Sequence, residues 1–133
     1  MGYIGPNEDQ WQLLLNYAEQ NVKVTMLNLL MYRELADYSE HPNEASCSGE
    51  EAYSRYSKLA FPRIQEAGAR VLFFGKAEAP IIGPIEERWH EVLLVEYPNV
   101  KAFMEMVNSD AYQAIVYHRT AALKDSRLIP IFS

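Results

Sequence analysis

The chain has 133 residues, 49% hydrophobic and 23% charged, which is typical of one globular domain and argues against disorder. Its net charge is −6, and its 12 basic residues are scattered, which argues against nucleic acid or an anionic membrane surface as partners. Cys47 is the single cysteine, so an internal disulfide is excluded. Residues 1–6 do not resemble a signal peptide and no apolar run could span a bilayer, so we expect a cytoplasmic protein.

The first predicted element is an N-terminal helix within residues 1–21. Asn7 is a suitable N-cap, and Gln10 occupies the capping-box position three residues later. Residues 22–30 are rich in β-forming residues and predict the first strand. Residues 31–48 then form a long loop, which is either a lid or binding loop or a solvated insertion.

The remaining chain predicts two further helical regions and three strands. A helix over 49–67 stops at Gly68, strands follow over 69–79 and 88–97, and Asn99 caps a short helix over 100–108. Ser109 caps another helix that carries Tyr112, Arg119 and Leu123, and the last strand covers 128–132. This order predicts a single α+β domain over 1–133 with the ferredoxin-like βαββαβ plan, an antiparallel four-stranded sheet with helices on one face.

Both faces of the predicted sheet are apolar, which predicts a homodimer. In the second strand, regular alternation places Val71, Phe73 and Gly75 on one face, with Leu72 and Phe74 on the other. Helices cover only one face of such a sheet, so the second needs another cover. A second copy of the chain is the simplest cover, through an isologous contact, and the alternative is the extra helix or the long loop.

Several segments together resemble the domain of unknown function 1330 family. They span roughly residues 22–131 and comprise Met26 to Leu30, Ser48 to Tyr56, Ala67 to Leu72, Arg88 to Asn99, Ser109 to Gln113, and Arg119. The chain departs from the family pattern in its N-terminal helix and at Ala69, where a second glycine is common. The resemblance implies the dimeric α/β-barrel superfamily, which includes cofactor-free monooxygenases, haem-degrading enzymes, lactone isomerases and dehydratases.

The resemblance also implies a ligand cleft between the sheet and its own helices. Inward helix positions and polar strand positions then give the candidate ligand-binding residues Asn28, Tyr53, Tyr56, Arg88 and Tyr112. For each of these the alternative is structural: a hydrogen bond within the protein for the asparagine, and core packing with the hydroxyl at the rim for the tyrosines.

Three further residues are candidates for catalysis: His90, His118 and Arg119. Histidine is the best general base near neutral pH, and an arginine holds an oxyanion. Adjacent helix residues point about 100° apart, so His118 and Arg119 should not face one site, and the resemblance favours Arg119 as the inward residue. The structural alternative for Arg119 is a salt bridge or a cap on a carbonyl.

Metal and cofactor sites find no support in the pattern. The three histidines show no metal-ligand spacing, no cysteine pair exists, and no glycine-rich phosphate motif occurs, so we expect no metal and no cofactor. The sequence leaves three functions open. The first is a cofactor-independent enzyme acting on a small organic compound, monooxygenase- or isomerase-like; the others are a non-catalytic ligand-binding or structural dimer and a haem-handling protein.

Overall fold

The computed structural model describes residues 2–133, and these contain one sheet of four antiparallel strands. The strands are β1 (Val24–Tyr32), β2 (Arg70–Lys76), β3 (Glu91–Tyr97) and β4 (Leu123–Ile131). Their order in the sheet is β2-β3-β1-β4. The β1 strand is an inner strand that pairs with β3 on one side and with β4 on the other. This is the predicted ferredoxin-like plan.

The helices are α1 (Glu8–Tyr17), α2 (Gly49–Glu66), α3 (Val100–Asn108), α4 (Asp110–Gln113) and α5 (Tyr117–Ala122). The predicted caps are present: Asn7 forms a capping box with Gln10, and Asn99 and Ser109 accept hydrogen bonds from the next turn. Gly68 ends the second helix with a positive φ of 78°, which only glycine adopts easily. Within residues 2–133 no helix has the length and apolarity needed to cross a membrane.

Several predicted boundaries are wrong. The first helix, predicted within residues 1–21, already ends at Tyr17. The helix predicted after Ser109 divides into α4 and α5, because hydrogen bonds at Ile115 and His118 tighten to i−3 spacing between them. The last strand begins at Leu123, five residues earlier than predicted, because its polar residues find partners outside the strand.

The core lies between the sheet and the helices and is divided into two clusters. One cluster contains Leu30 together with the tyrosines of α2 and α4, and the other contains Val24 and Met26 together with residues of α3. Along β1, Asn28 lies between the two clusters on the same face of the sheet. The helical layer therefore does not form one continuous apolar contact with the sheet.

A β-bulge at Leu72 changes which residues of β2 share a face. Val71 opposes Val95, but the next register pair is Phe73 with Leu94, so Leu72 is an extra residue. Phe74 therefore joins Val71 on the helix-facing side, and Phe73 points to the opposite side. The regular alternation predicted for this strand is wrong from Phe73 onward, because it assumed no bulge.

The sheet face opposite the helices is apolar and uncovered within the described residues. It carries Leu27 and Leu29 of β1, Val92 and Leu94 of β3, Phe73 of β2, and Ile129 and Ile131 of β4. Phe73 is 55% exposed. Both elements that could have covered this face pack on the helix side: Trp11 and Leu14 of α1 contact the core, and Tyr38 of the long loop is buried against α2 and α5.

Candidate functional site

A large cleft lies between the helix-facing side of the sheet and the helices. Its volume is about 1270 Å³, and most of its walls are apolar. Met26, Leu93, Val95 and Leu128 of the sheet form its floor, and α1, α2 and α3 supply aromatic and aliphatic walls that include Trp11, Phe61 and Phe103. The volume exceeds what a small ligand requires, so the cleft can accept an organic molecule with a sizeable apolar body.

Arg119, which the family resemblance favours as the inward residue of its helix, lines the cleft. It lies on α5, and Tyr112 and Val116 line the same wall at helical spacing. Its Nη1 donates to the backbone carbonyl of Ile4. Among the described residues no carboxylate lies within salt-bridge distance of the Arg119 guanidinium, although six ion pairs of other lysines and arginines form elsewhere.

Three tyrosines from α2 and α4 bring their hydroxyl groups to the cleft. The Tyr56 and Tyr112 hydroxyls share a hydrogen bond of 2.7 Å. Tyr53, only 3% exposed, has no hydrogen-bond partner for its hydroxyl among residues 2–133. In that range the only fully enclosed side-chain polar atom without a hydrogen-bond partner is Arg63 Nε. The Tyr53 oxygen also lacks a partner but is not fully enclosed, so it must face the open space of the cleft.

Burial determines the protonation of these tyrosines. Removal from water raises the pKa of Tyr53 to about 12, while the positive charge of Arg119 acts in the opposite direction. Burial also raises the pKa of Tyr56 well above its ordinary value. Both phenols are therefore neutral near pH 7 and act as hydrogen-bond donors rather than bases.

The N-terminal segment, residues 3–6, lines one end of the cleft, which no pattern in the sequence predicted. Tyr3 donates its backbone N–H to Asp125 over 2.9 Å and accepts from the Ser126 hydroxyl over 2.6 Å. Its ring covers the Arg127 guanidinium at 5.0 Å. Residues 3–6 line the cleft, and the segment supplies the carbonyl that orients Arg119. These contacts also satisfy the polar positions at the start of β4.

Arg88 and His90, both candidates from the sequence, lie outside the cleft. They are exposed residues of the connection between β2 and β3, which the sequence had assigned to the third strand. His90 Nδ1 accepts the backbone N–H of Tyr32 over 2.8 Å. The Tyr32 hydroxyl in turn donates to the buried carboxylate of Glu91 over 2.6 Å. The role that this geometry gives His90 is to fix the end of β1.

His118, the other candidate histidine, faces the long loop rather than the cleft. Its Nδ1 lies 2.7 Å from the Tyr38 hydroxyl, and its Nε2 lies 4.0 Å from a Glu44 oxygen. Tyr117 donates to the same carboxylate, and this hydrogen bond lowers the pKa of Glu44. Burial lowers the pKa of His118, so the imidazole is neutral near pH 7. The histidine and its neighbours thus hold residues 33–48 against α2 and α5.

The structure offers no evident place for a metal ion or a haem among the described residues. Within 2–133 no group of three or more histidine, cysteine, aspartate or glutamate side chains converges. Neither His90 nor His118 lines the cleft, so neither is placed to bind a haem iron there. Cys47, near the end of the long loop, is buried.

The chain is similar to proteins of known structure but unknown function. The model of the family described as domain of unknown function (DUF1330) matches residues 44–130. A protein of unknown function from Rhodopseudomonas palustris is 34% identical over 100% of this chain and 98% of that chain, with a TM-score of 0.90. The predicted family resemblance is confirmed.

Two more distant structures share the fold, and both are described as dimeric, ferredoxin-like proteins of unknown function. The one from Bacteroides fragilis is 12% identical over 84% of this chain and 96% of its own, with a TM-score of 0.55. The one from Thermobifida fusca is also 12% identical, over 86% of this chain and 93% of its own, with a TM-score of 0.55. They confirm the ferredoxin-like fold. Among proteins with curated descriptions, none matches the chain.

Proposed function

Because the chain belongs to the DUF1330 family, a domain of unknown function, we propose its function from its own cleft: it binds a small, largely apolar organic acid between the sheet and the helices. The ligand's acidic oxygens contact Arg119, and its apolar body fills the space above Met26, Leu93 and Val95. The protein does this as a homodimer.

The observation that carries the proposal is the unpaired guanidinium of Arg119. A cation in an apolar cleft loses hydration and needs a compensating anion. The Ile4 carbonyl uses one of its several N–H donors, and no carboxylate within residues 2–133 pairs with it. Guanidinium groups bind carboxylates and other planar oxyanions through paired hydrogen bonds, which explains an arginine at this place.

Tyr53 supplies a second donor for the same anion. Its hydroxyl is buried, protonated and without a protein partner, and the charge of Arg119 is close enough to act on its pKa. The Tyr56–Tyr112 pair lies beside it, with the Tyr53 and Tyr56 ring centroids 5.2 Å apart. A ligand oxygen that contacts both Arg119 and Tyr53 satisfies two groups that otherwise lack partners.

The experiment compares acids with their neutral isosteres. Octanoate, phenylacetate and 2-naphthoate are titrated by calorimetry against the matching primary amides. We expect at least one acid to bind about tenfold or more tightly than its amide, since a charge-assisted hydrogen bond contributes roughly 1.5–3 kcal/mol. Arg119→Met should abolish this preference. Arg33→Met, which removes an exposed arginine outside the cleft, should preserve it. Acid binding that is unchanged in Arg119→Met would overturn the proposal.

Cofactor-independent catalysis is the second candidate, and the same two donors favour it. Arg119 and the Tyr53 hydroxyl suit an oxyanion that develops when a carbonyl compound or a phenol loses a proton. Binding comes first because no aspartate, glutamate or histidine lines the cleft among the described residues, so the protein offers no general base there near neutral pH. Substrates acidic enough to ionise on their own are the ones to test for turnover.

The homodimer follows from the uncovered sheet face. The face is mostly apolar, with charges at Arg127 beside Leu29 and at the Arg70–Glu96 pair towards one end. The elements of this chain that could cover it pack on the helix side instead. A second copy presents the same flat apolar surface, so a two-fold contact buries both at once. A contiguous apolar surface of this kind on a soluble domain usually marks an interface.

A further inference from the structure

Asn28 occupies an unusual position, at the centre of the sheet and on the floor of the cleft. It lies on β1 between Met26 and Leu30, each of which belongs to a different core cluster. It opposes Leu93 on one neighbouring strand and Leu128 on the other. The side chain is only 9% exposed. A polar group here interrupts an otherwise apolar floor, so its hydrogen bonds must be accounted for.

The direction of the Asn28 amide is fixed by two backbone carbonyls. Its Nδ2 donates to the carbonyl oxygens of Met26 and Leu93, each at 3.3 Å. The flipped amide would place Oδ1 against the same two oxygens, where all the groups are acceptors and repel one another. The carbonyl oxygen of the side chain therefore has to point away from the strands.

This orientation leaves Oδ1 as an acceptor without a donor. Among residues 2–133 no group donates to it, and it is not among the fully enclosed unpaired atoms, so it faces the cleft that Asn28 lines. Arg119 and Tyr53, the two polar groups of the proposed anion site, offer donors from the helical wall of the cleft. Asn28 Oδ1 is an acceptor on the floor of the same cleft.

We propose that Asn28 determines ligand specificity: its Oδ1 accepts a hydrogen bond from a hydroxyl or N–H group of the ligand. Together with the proposed function, on which it rests, this defines the ligand class as apolar carboxylic acids that carry a hydroxyl or amino donor at a distance from the acidic group. The acid contacts Arg119 and the donor contacts Asn28. An acid without the donor leaves Oδ1 desolvated and unpaired, which sites built to recognise a hydroxyl penalise strongly.

The test uses 2-naphthoate and its positional hydroxynaphthoate isomers as probes, with dissociation constants measured by calorimetry. We expect at least one hydroxy isomer to bind the wild-type protein about tenfold more tightly than 2-naphthoate. In Asn28→Leu this preference should fall to about onefold, and 2-naphthoate should bind at least as tightly as to the wild type, because no unpaired acceptor is then desolvated. A hydroxyl preference that persists in Asn28→Leu, or is absent for every isomer in the wild type, overturns the proposal.

Two controls separate this proposal from the one on which it rests. If the naphthoates bind through Arg119 but show no hydroxyl preference, only the role of Asn28 fails. If no naphthoate binds, and neither octanoate nor phenylacetate binds, both proposals fail. A co-crystal structure of the wild-type protein with the tightest isomer does not depend on the stability of any variant. It should place the ligand hydroxyl within hydrogen-bond distance of Asn28 Oδ1, and a hydroxyl elsewhere overturns the assignment.

Discussion

Replacing Leu27 with lysine should weaken the proposed homodimer, because Leu27 lies at the centre of the uncovered sheet face. It opposes Leu94 on β3 and Ile129 on β4, so apolar side chains flank it on both sides. A lysine on the same pleat would place its ammonium group on the surface that a second copy covers. The helix-facing side of β1 would be unchanged, since alternate residues point to opposite faces.

The expected size of the effect follows from burial and symmetry. Complete burial of a leucine contributes about 1.5–3 kcal/mol, and its neighbours already bury most of Leu27, so at most about a third of this remains for the interface. A two-fold contact contains the residue twice, which brings the sum to at most about 1–2 kcal/mol per dimer. The dissociation constant should rise by about 5- to 30-fold from this loss, and repulsion between two facing lysines adds to it.

Sedimentation velocity over a wide concentration range measures this change directly. Leu59→Lys is the matched control: Leu59 is 46% exposed on α2 and lines neither the cleft nor the open face, so its dimer should be as stable as the wild type. Circular dichroism establishes that both variants keep their fold. A wild-type protein that stays monomeric at high concentration, or a Leu27→Lys dimer of unchanged stability, would refute the argument from the apolar face.

Three further predictions concern the core. Tyr56→Phe and Tyr112→Phe should each lower the free energy of unfolding in urea by about 1 kcal/mol, and the double variant should lose less than the sum because both remove one hydrogen bond; strict additivity would contradict a shared bond. Gly49→Ala should destabilise the protein by about 1–3 kcal/mol in thermal melts, because a β-carbon there would clash with the backbone carbonyl oxygens of Arg33 and Ala122, whereas the exposed Ser54→Ala on the same helix should be nearly neutral. The pKa of Tyr53 is higher in the folded than in the unfolded protein, so its contribution to stability is complete below pH 10 and lost as the pH rises towards about 12; Tyr53→Phe should make the decline of the urea midpoint over this range shallower, and an identical decline would argue against a buried phenol.

Local chemistry made much of the fold predictable. Asn7, Asn99 and Ser109 begin helices because their side chains bond to the next turn, and Gly68 ends one because it accepts a positive φ. The early start of β4 was not predictable in this way. Its first residues are polar, and they form a strand only because the N-terminal segment, distant in sequence, provides hydrogen bonds for Asp125 and Ser126.

The candidate site was predictable where helical spacing determines direction. Tyr53 and Tyr56 share one face of α2, and Arg119 follows Tyr112 by about two turns, so all four reach the cleft as the pattern indicated. His90 and His118 were chosen for residue type rather than for direction, and the structure places both outside the cleft. The part played by Tyr3 and Ile4 depends on contacts across most of the chain, for which a single sequence offers no signal.

The extra residue at Leu72 has a consequence for how relatives of this chain are aligned. Val71 points to the cleft and Phe73 to the open face, which is the alternation of a regular strand from which Leu72 has been removed. A relative with one residue fewer at this point can therefore keep both the cleft side and the open side of β2 unchanged. An alignment that places the gap a few positions later instead exchanges Phe73 with Phe74, and so assigns a cleft residue to the outer face.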